Sequence, residues 1–185
     1  MNPNSALGYF KRAIVKDNLD DYFGAIQDYN KAIVLDSTDS DFFYNRGLLK
    51  FKIEDFKGAI RDYNKTLTIS PNDAPSYYNR GLAKFKLDDY DSALEDYSKA
   101  LELNPNDAEA HVGYGNAKQF LDDYSGAIKE YSKAIDLKAH LPQAYYNRGI
   151  ARVLSGQKKS GCSDITQSGE LGNSMAADAI KKFCN

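Results

Sequence analysis

Apolar residues recur along this chain at three- and four-residue spacing, in short blocks separated by polar punctuation. From Ala74 the series Tyr77, Tyr78, Leu82 and Phe85 has helical spacing, and after Asp88-Asp89 the series Tyr90, Ala93, Leu94, Tyr97 and Leu101 has it again. Each block predicts one amphipathic helix. An acid precedes every second block (Asp21, Asp55, Asp89, Asp123) and suits an N-cap, because its carboxylate accepts from the orphan amides of a first helical turn. Ser70-Pro71-Asn72-Asp73 and Asn104-Pro105-Asn106-Asp107 stop one helix and open a turn. The predicted unit is helix, short turn, helix, proline turn.

The unit repeats. FFYNRGLLKF from Phe42, SYYNRGLAKF from Ser76 and AYYNRGIARV from Ala144 align at offsets of 34 and 68. Gly47, Gly81, Gly115 and Gly149 return every 34 residues with Ala13 in the same register, and Ala25, Ala59, Ala93, Ala127 and Gly161 form a second small-residue register. Of 14 tyrosines, all but Tyr114 fall in four registers. Glycine inside a helix costs about 0.5–1 kcal/mol relative to alanine, so its return predicts that two helix backbones cross closely there.

A 34-residue helix-turn-helix carrying an aromatic, Gly, Ala, an aromatic, Ala and Pro in this order resembles the tetratricopeptide repeat (TPR). The resemblance covers Ala6 to about Met175. It implies an all-α, right-handed TPR superhelix, an α-solenoid of five helix-turn-helix repeats plus a C-terminal capping helix. The repeats are 6–39, 40–73, 74–107, 108–141 and a degenerate fifth at 142–173, with the cap at 174–185. The family's usual Trp is replaced by Tyr9, Phe43, Tyr77, His111 and Tyr145, and the fifth repeat loses its second-helix aromatics at Lys158 and Ile165. Pro3 shares the register of Pro71 and Pro105, so residues 1–5 read as the remnant of a preceding repeat; a natural start with a short capping segment is the alternative. The closing segment from Gly161 to Cys184 resembles that of many bacterial TPR proteins.

In a solenoid each repeat touches its neighbours, so most recurring positions serve stacking. The Ala/Gly registers, the tyrosines and the terminal Leu35, Ile69, Leu103, Leu137 and Leu171 are expected in the core. Two charged registers recur as strictly: Lys16, Lys50, Lys84, Lys118 and Arg152 on the first helices, and Asp28, Asp62, Asp96, Glu130 and Asp164 on the second. With Arg12, Arg46, Arg80 and Arg148 four residues before Lys16, Lys50, Lys84 and Arg152, they predict a ladder of ion pairs between helices.

The resemblance places the first helices on a concave groove. Asn45, Asn79 and Asn147 precede the close-packing glycines by two residues and resemble the asparagine ladder with which some TPR proteins hold an extended peptide; Lys11 and Gly113 interrupt the series. A carboxamide both donates and accepts, so it pairs with a peptide backbone whatever its side chains. Tyr44, Tyr78, Tyr146, Leu48, Leu82, Phe51 and Phe85 complete an apolar wall suited to a peptide or partner helix. The opposing reading has these asparagines capping neighbouring backbone and the rings packing between repeats. A carboxylate clamp is not expected, because its registers read Phe10, Ile14, Asn45, Pro75 and Asn79, without the basic members. Acidic residues at the groove edge (Asp39, Asp41, Asp73, Asp107, Glu109) favour a partner with some positive charge.

Composition narrows the function. With 24 Lys+Arg against 26 Asp+Glu over 185 residues the chain lacks the basic excess for a general grip on nucleic acid, and no apolar run reaches the roughly 20 residues that insert into a bilayer. No catalytic constellation, cofactor motif or metal spacing is found: His111 stands in an aromatic register, His140 lies in a turn, and no Gly-rich phosphate loop occurs. The expected function is a non-catalytic protein-binding scaffold without cofactors. The rival is an assembly module that self-associates through its N-terminal face. Cys162 and Cys184 have two readings, a disulfide that pins the cap and implies an oxidising compartment, or two buried thiols. The protein is expected to be soluble and bacterial, with cytoplasmic and exported locations both open.

Overall fold

All regular secondary structure among residues 5–184, which this computed structural model describes, is helical. The expected exit turn at Asn2-Pro3-Asn4 lies outside the described residues. The helices are α1 (Ala6–Asn18), α2 (Tyr22–Leu35), α3 (Ser40–Lys52), α4 (Phe56–Ile69), α5 (Ala74–Phe85), α6 (Tyr90–Leu103), α7 (Ala108–Phe120), α8 (Tyr124–Leu137), α9 (Pro142–Leu154), α10 (Lys158–Glu170) and α11 (Ala176–Phe183). They form two compact units, one ending at Asp89 and the other starting at Tyr90.

Side-chain caps set the boundaries. Asp21, Asp55 and Asp123 accept from the amides of Gly24, Gly58 and Gly126 at 3.0, 2.9 and 2.8 Å, opening α2, α4 and α8. The acid one place earlier does different work: Asp20, Glu54, Asp88 and Asp122 sit at φ of 59 to 63°, in the left-handed region that turns the chain out of each first helix.

In the first unit Tyr29 and Tyr63 are buried in the core, and in the second Tyr97 and Tyr131 are. The glycine register exists because of these rings. A Cβ on Gly47 would stand 2.8 Å from Tyr63 Cε1, and one on Gly115 would stand 2.7 Å from Tyr131 Cε1. The expected crossing of two backbones is therefore corrected for these two glycines, since a tyrosine ring of the paired helix fills the space. It holds in α9–α10, where Ile165 replaces the tyrosine and a Cβ on Gly149 would meet the Gly161 carbonyl oxygen at 2.8 Å.

The terminal leucine register is also corrected. Leu35, Ile69 and Leu137 are exposed, and Leu103 and Leu171 are only partly buried. The first four stand at the last residue of their second helices, and Leu171 is the C-cap of α10. The register one turn earlier, Ala32, Thr66, Ala100, Ala134 and Ser168, is buried in its place.

The expected ion-pair ladder forms in α1–α2, α3–α4 and α9–α10 and is corrected in α7–α8, where Lys118 Nζ stands 3.6 Å from Asp123 and Glu130 joins His111 instead. Asp28 joins Arg12 Nη2 at 2.7 Å and Lys16 Nζ at 2.8 Å; Asp62 joins Arg46 at 2.5 Å and Lys50 at 2.8 Å; Asp164 joins Arg148 at 2.8 Å and Arg152 at 2.6 Å. Arg12, Arg46, Arg80 and Arg148 also lie 5.1 to 5.6 Å from the ring centroids of Tyr9, Phe43, Tyr77 and Tyr145. α11 closes the second unit, burying Ala176 and Ala179 with Ile165 against Tyr146, Ile150 and Val153. A disulfide joins Cys162 of α10 to Cys184 at the end of α11, with Cα atoms 5.7 Å apart.

Candidate functional site

The expected binding residues of the first unit stand on α3 and α5. Tyr44, Asn45, Leu48 and Phe51 on α3, and Tyr78, Asn79, Leu82 and Phe85 on α5, are all partly buried. Tyr44 leans its ring on Tyr63, with centroids 6.1 Å apart, and its hydroxyl accepts from Asn79 Nδ2 at 3.1 Å. Burial pushes the Tyr44 hydroxyl pKa up and the charge of Asp73 adds to this, while the Asn79 bond opposes it. Phe51 packs edge-on against Phe56 at 5.2 Å.

The asparagines spend their nitrogens and keep their oxygens. Asn79 Nδ2 also donates to the Pro75 carbonyl at 3.0 Å, and Asn45 Nδ2 donates to the Asp41 carbonyl at 2.7 Å. Among the described residues neither Oδ1 receives a hydrogen bond, so each remains an acceptor beside apolar surface. The Tyr63 hydroxyl behind them is buried and meets no partner among the described residues.

The second unit is arranged differently. Asn147 Nδ2 donates to Asn116 Oδ1 at 2.7 Å and Asn147 Oδ1 receives Gln143 Nε2 at 2.7 Å, so both ends of its amide are engaged. The Tyr131 hydroxyl donates to Asn116 Oδ1 at 2.8 Å and contacts Gln119 Oε1 at 3.2 Å. Sequence reasoning missed Asn116 and Gln119. The available signal was their polarity in registers that elsewhere hold Leu48 and Leu82, and Phe51 and Phe85. Tyr146 faces α11 and lines a pocket of about 280 Å³ with Met175, Asp178, Ala179, Lys182 and Phe183. Gly113 interrupts the asparagine series where the Tyr97 ring would lie 2.8 Å from a Cβ.

Other expected groups have structural duties. Asp39, Asp73 and Asp107 cap α3, α5 and α7, leaving Asp41 and Glu109 as the exposed acids of that edge. His111 is buried, with Nδ1 2.8 Å from Glu130 Oε2 and Nε2 3.1 Å from the Pro105 carbonyl oxygen. Among the described residues no helix is long and apolar enough to cross a membrane.

The Tetratricopeptide repeat model matches residues 74–107, and a second TPR repeat model matches 19–54, 50–88 and 121–156. The chain belongs to the tetratricopeptide repeat family. It is a protein-interaction scaffold of helical solenoid fold, and TPR proteins are generally non-catalytic. No curated protein matches the sequence. Solved structures share the TPR fold at low identity. MamA from Desulfovibrio magneticus RS-1 is 21% identical with a TM-score of 0.86, covering 92% of this chain and 96% of that one. YrrB, described as a TPR protein with an unusual peptide-binding site, is 23% identical with a TM-score of 0.83, covering 98% and 94%. PilF of Pseudomonas aeruginosa is 18% identical with a TM-score of 0.85, covering 98% of this chain and 83% of that one.

Proposed function

We propose that this TPR chain binds an extended segment of a partner protein on the α3 and α5 surface, through Asn45 and Asn79 with Tyr44, Tyr78, Leu48 and Leu82. The observation that carries this reading is the pair of open carboxamide oxygens beside half-buried rings. A strand-like peptide offers backbone N–H groups at regular spacing, and an oxygen already held in place by its own amide nitrogen accepts them at little entropic cost. The peptide-binding site named for YrrB adds support. In the second unit Asn147 and Tyr146 serve a partner less directly, because Asn116 and α11 already engage them.

We further infer an oxidising compartment for the protein, because a Cys162–Cys184 disulfide persists where thiols are not kept reduced.

The test is binding of a partner, recovered by affinity capture and mass spectrometry, to the Asn45→Ala/Asn79→Ala double variant. Loss of at least tenfold in affinity with an unchanged oligomeric state supports the reading, and unchanged affinity sinks it.

A further inference from the structure

In the second unit a helix pair that holds itself together carries a third helix that is held by little. Between α9 and α10, Asp164 binds Arg148 and Arg152 at 2.8 and 2.6 Å, and Ser168 Oγ donates to the Pro142 carbonyl at 2.7 Å. Gly149 and Gly161 let the two backbones close on each other. None of these contacts involves α11.

α11 has eight residues and no side-chain N-cap bond, and the residues it buries are Ala176 and Ala179, which bring little apolar area. Its linker adds a cost. Asn173 Nδ2 is buried and meets no partner among the described residues, so docking leaves a desolvated donor unpaired. Beside it Gly172 sits at φ 95° with nothing within 4 Å of a Cβ, and the linker has room to swing there. The remaining tie is the Cys162–Cys184 bond, which fastens the end of α11 to α10, and both cysteines are partly exposed. What α11 covers is the α9 surface of Tyr146, Ile150 and Val153. Tyr146 and Ile150 stand at the registers of Tyr44 and Leu48.

We infer that the disulfide is a redox latch: when a dithiol reduces it, α11 swings away about Gly172 and uncovers Tyr146 and Ile150, while α9 and α10 stay packed. One thiolate of the dithiol attacks a cysteine sulfur, the S–S bond breaks, and the other cysteine leaves as a thiolate and takes up a proton. The second thiol of the dithiol then displaces the first cysteine from the mixed disulfide. Two electrons pass to the chain, which gains two thiols, and the dithiol departs as its own disulfide. The latch does not depend on peptide binding at α3 and α5, and its test leaves that reading untouched.

The chain has no tryptophan, so Tyr146→Trp gives an indole that reports on that position alone. Acrylamide quenching is measured on the full chain before and after dithiothreitol, with thiol titration verifying complete reduction. The quenching constant is expected to rise at least twofold on reduction and to return on reoxidation. Tyr145→Trp, on the side of α9 packed against the cluster of Ala108 and Ala134, shows no such rise. Unchanged quenching at position 146 in the fully reduced chain overturns the inference. So does an equal rise at position 145, because the helix pair then opens as a whole. Should the indole itself displace α11, seen as quenching already high in the oxidised chain, hydroxyl-radical footprinting of Tyr146 and Ile150 decides. It compares the oxidised chain of unaltered sequence with Cys162→Ser/Cys184→Ser: a rise of at least twofold in the serine variant supports the latch, and equal labelling overturns it.

Discussion

His111 and Glu130 form a buried pair, with Nδ1 2.8 Å from the carboxylate, and this pair replaces an arrangement used elsewhere in the chain. In α1, α3, α5 and α9 an aromatic residue lies under an arginine; in α7 the aromatic is His111 and the arginine is Tyr114. With the arginine gone, the carboxylate on α8 needs another partner, and the longer Glu130 reaches the imidazole. His111→Tyr alone is expected to strand Glu130 and cost about 2–3 kcal/mol, read by chemical denaturation. The triple change His111→Tyr, Tyr114→Arg and Glu130→Asp restores the arrangement of the other pairs and recovers most of that loss. Equal stability of the single and triple variants contradicts the exchange.

The carboxylates of the ladder differ in burial of their partners. Asp62→Ala leaves Arg46 and Lys50, 16% and 17% exposed, without their shared anion, and is expected to cost about 3 kcal/mol. Asp28→Ala costs less, because Arg12 is largely open to water that screens it. Denaturation midpoints rank the two.

Asp28 also sets an acid limit. The bond from Arg12 holds its pKa at about 2, with Lys16 adding to the effect against the cost of burial. A depressed carboxylate contributes stability that is present above the unfolded value of about 3.9 and is lost as pH falls through the folded one. Stability measured from pH 5 down to 2 should decline less steeply in Asp28→Asn than in the unaltered protein.

Gly47→Ala tests the ring-filled glycine register. Alanine gains about 1 kcal/mol of helix propensity, but its Cβ would meet Tyr63 Cε1 at 2.8 Å, and overpacking costs about 1–3 kcal/mol. Net destabilisation is expected, and Tyr63→Phe does not relieve it because the contact is with ring carbon. A rise in thermal midpoint contradicts this.

The Cys162–Cys184 disulfide closes a segment of 22 residues, for which chain-entropy arguments give about 3 kcal/mol. Reduction, or Cys162→Ser with Cys184→Ser, should raise amide exchange in α11 before any other helix. Unchanged protection of 176–183 after reduction contradicts a pinning role.

Much of this fold was legible because a repeat states each instruction several times. The tyrosine register of Tyr29, Tyr63, Tyr97 and Tyr131 and the Asp28, Asp62 and Asp164 register both emerged from period alone. The misreadings concern single repeats or depth. Leu35 and Ile69 fit a helical stripe, yet a stripe does not say where its last turn leaves the core. The engagement of Asn147 by Asn116 depends on one departure from pattern in α7, and period analysis treats a departure as decay. The open oxygens of Asn45 and Asn79 depend on side-chain rotamers that spacing does not encode.

A partner peptide on the α3 and α5 surface would lie within reach of Leu48. Site-specific photocrosslinking tests it most directly, with a photoreactive residue placed at Leu48 in one variant and at the exposed Lys57 of α4 in another. A partner crosslinked from position 48, and lost when Asn45→Ala and Asn79→Ala are added, is the predicted result. Crosslinking from position 57 with none from position 48 would contradict the account.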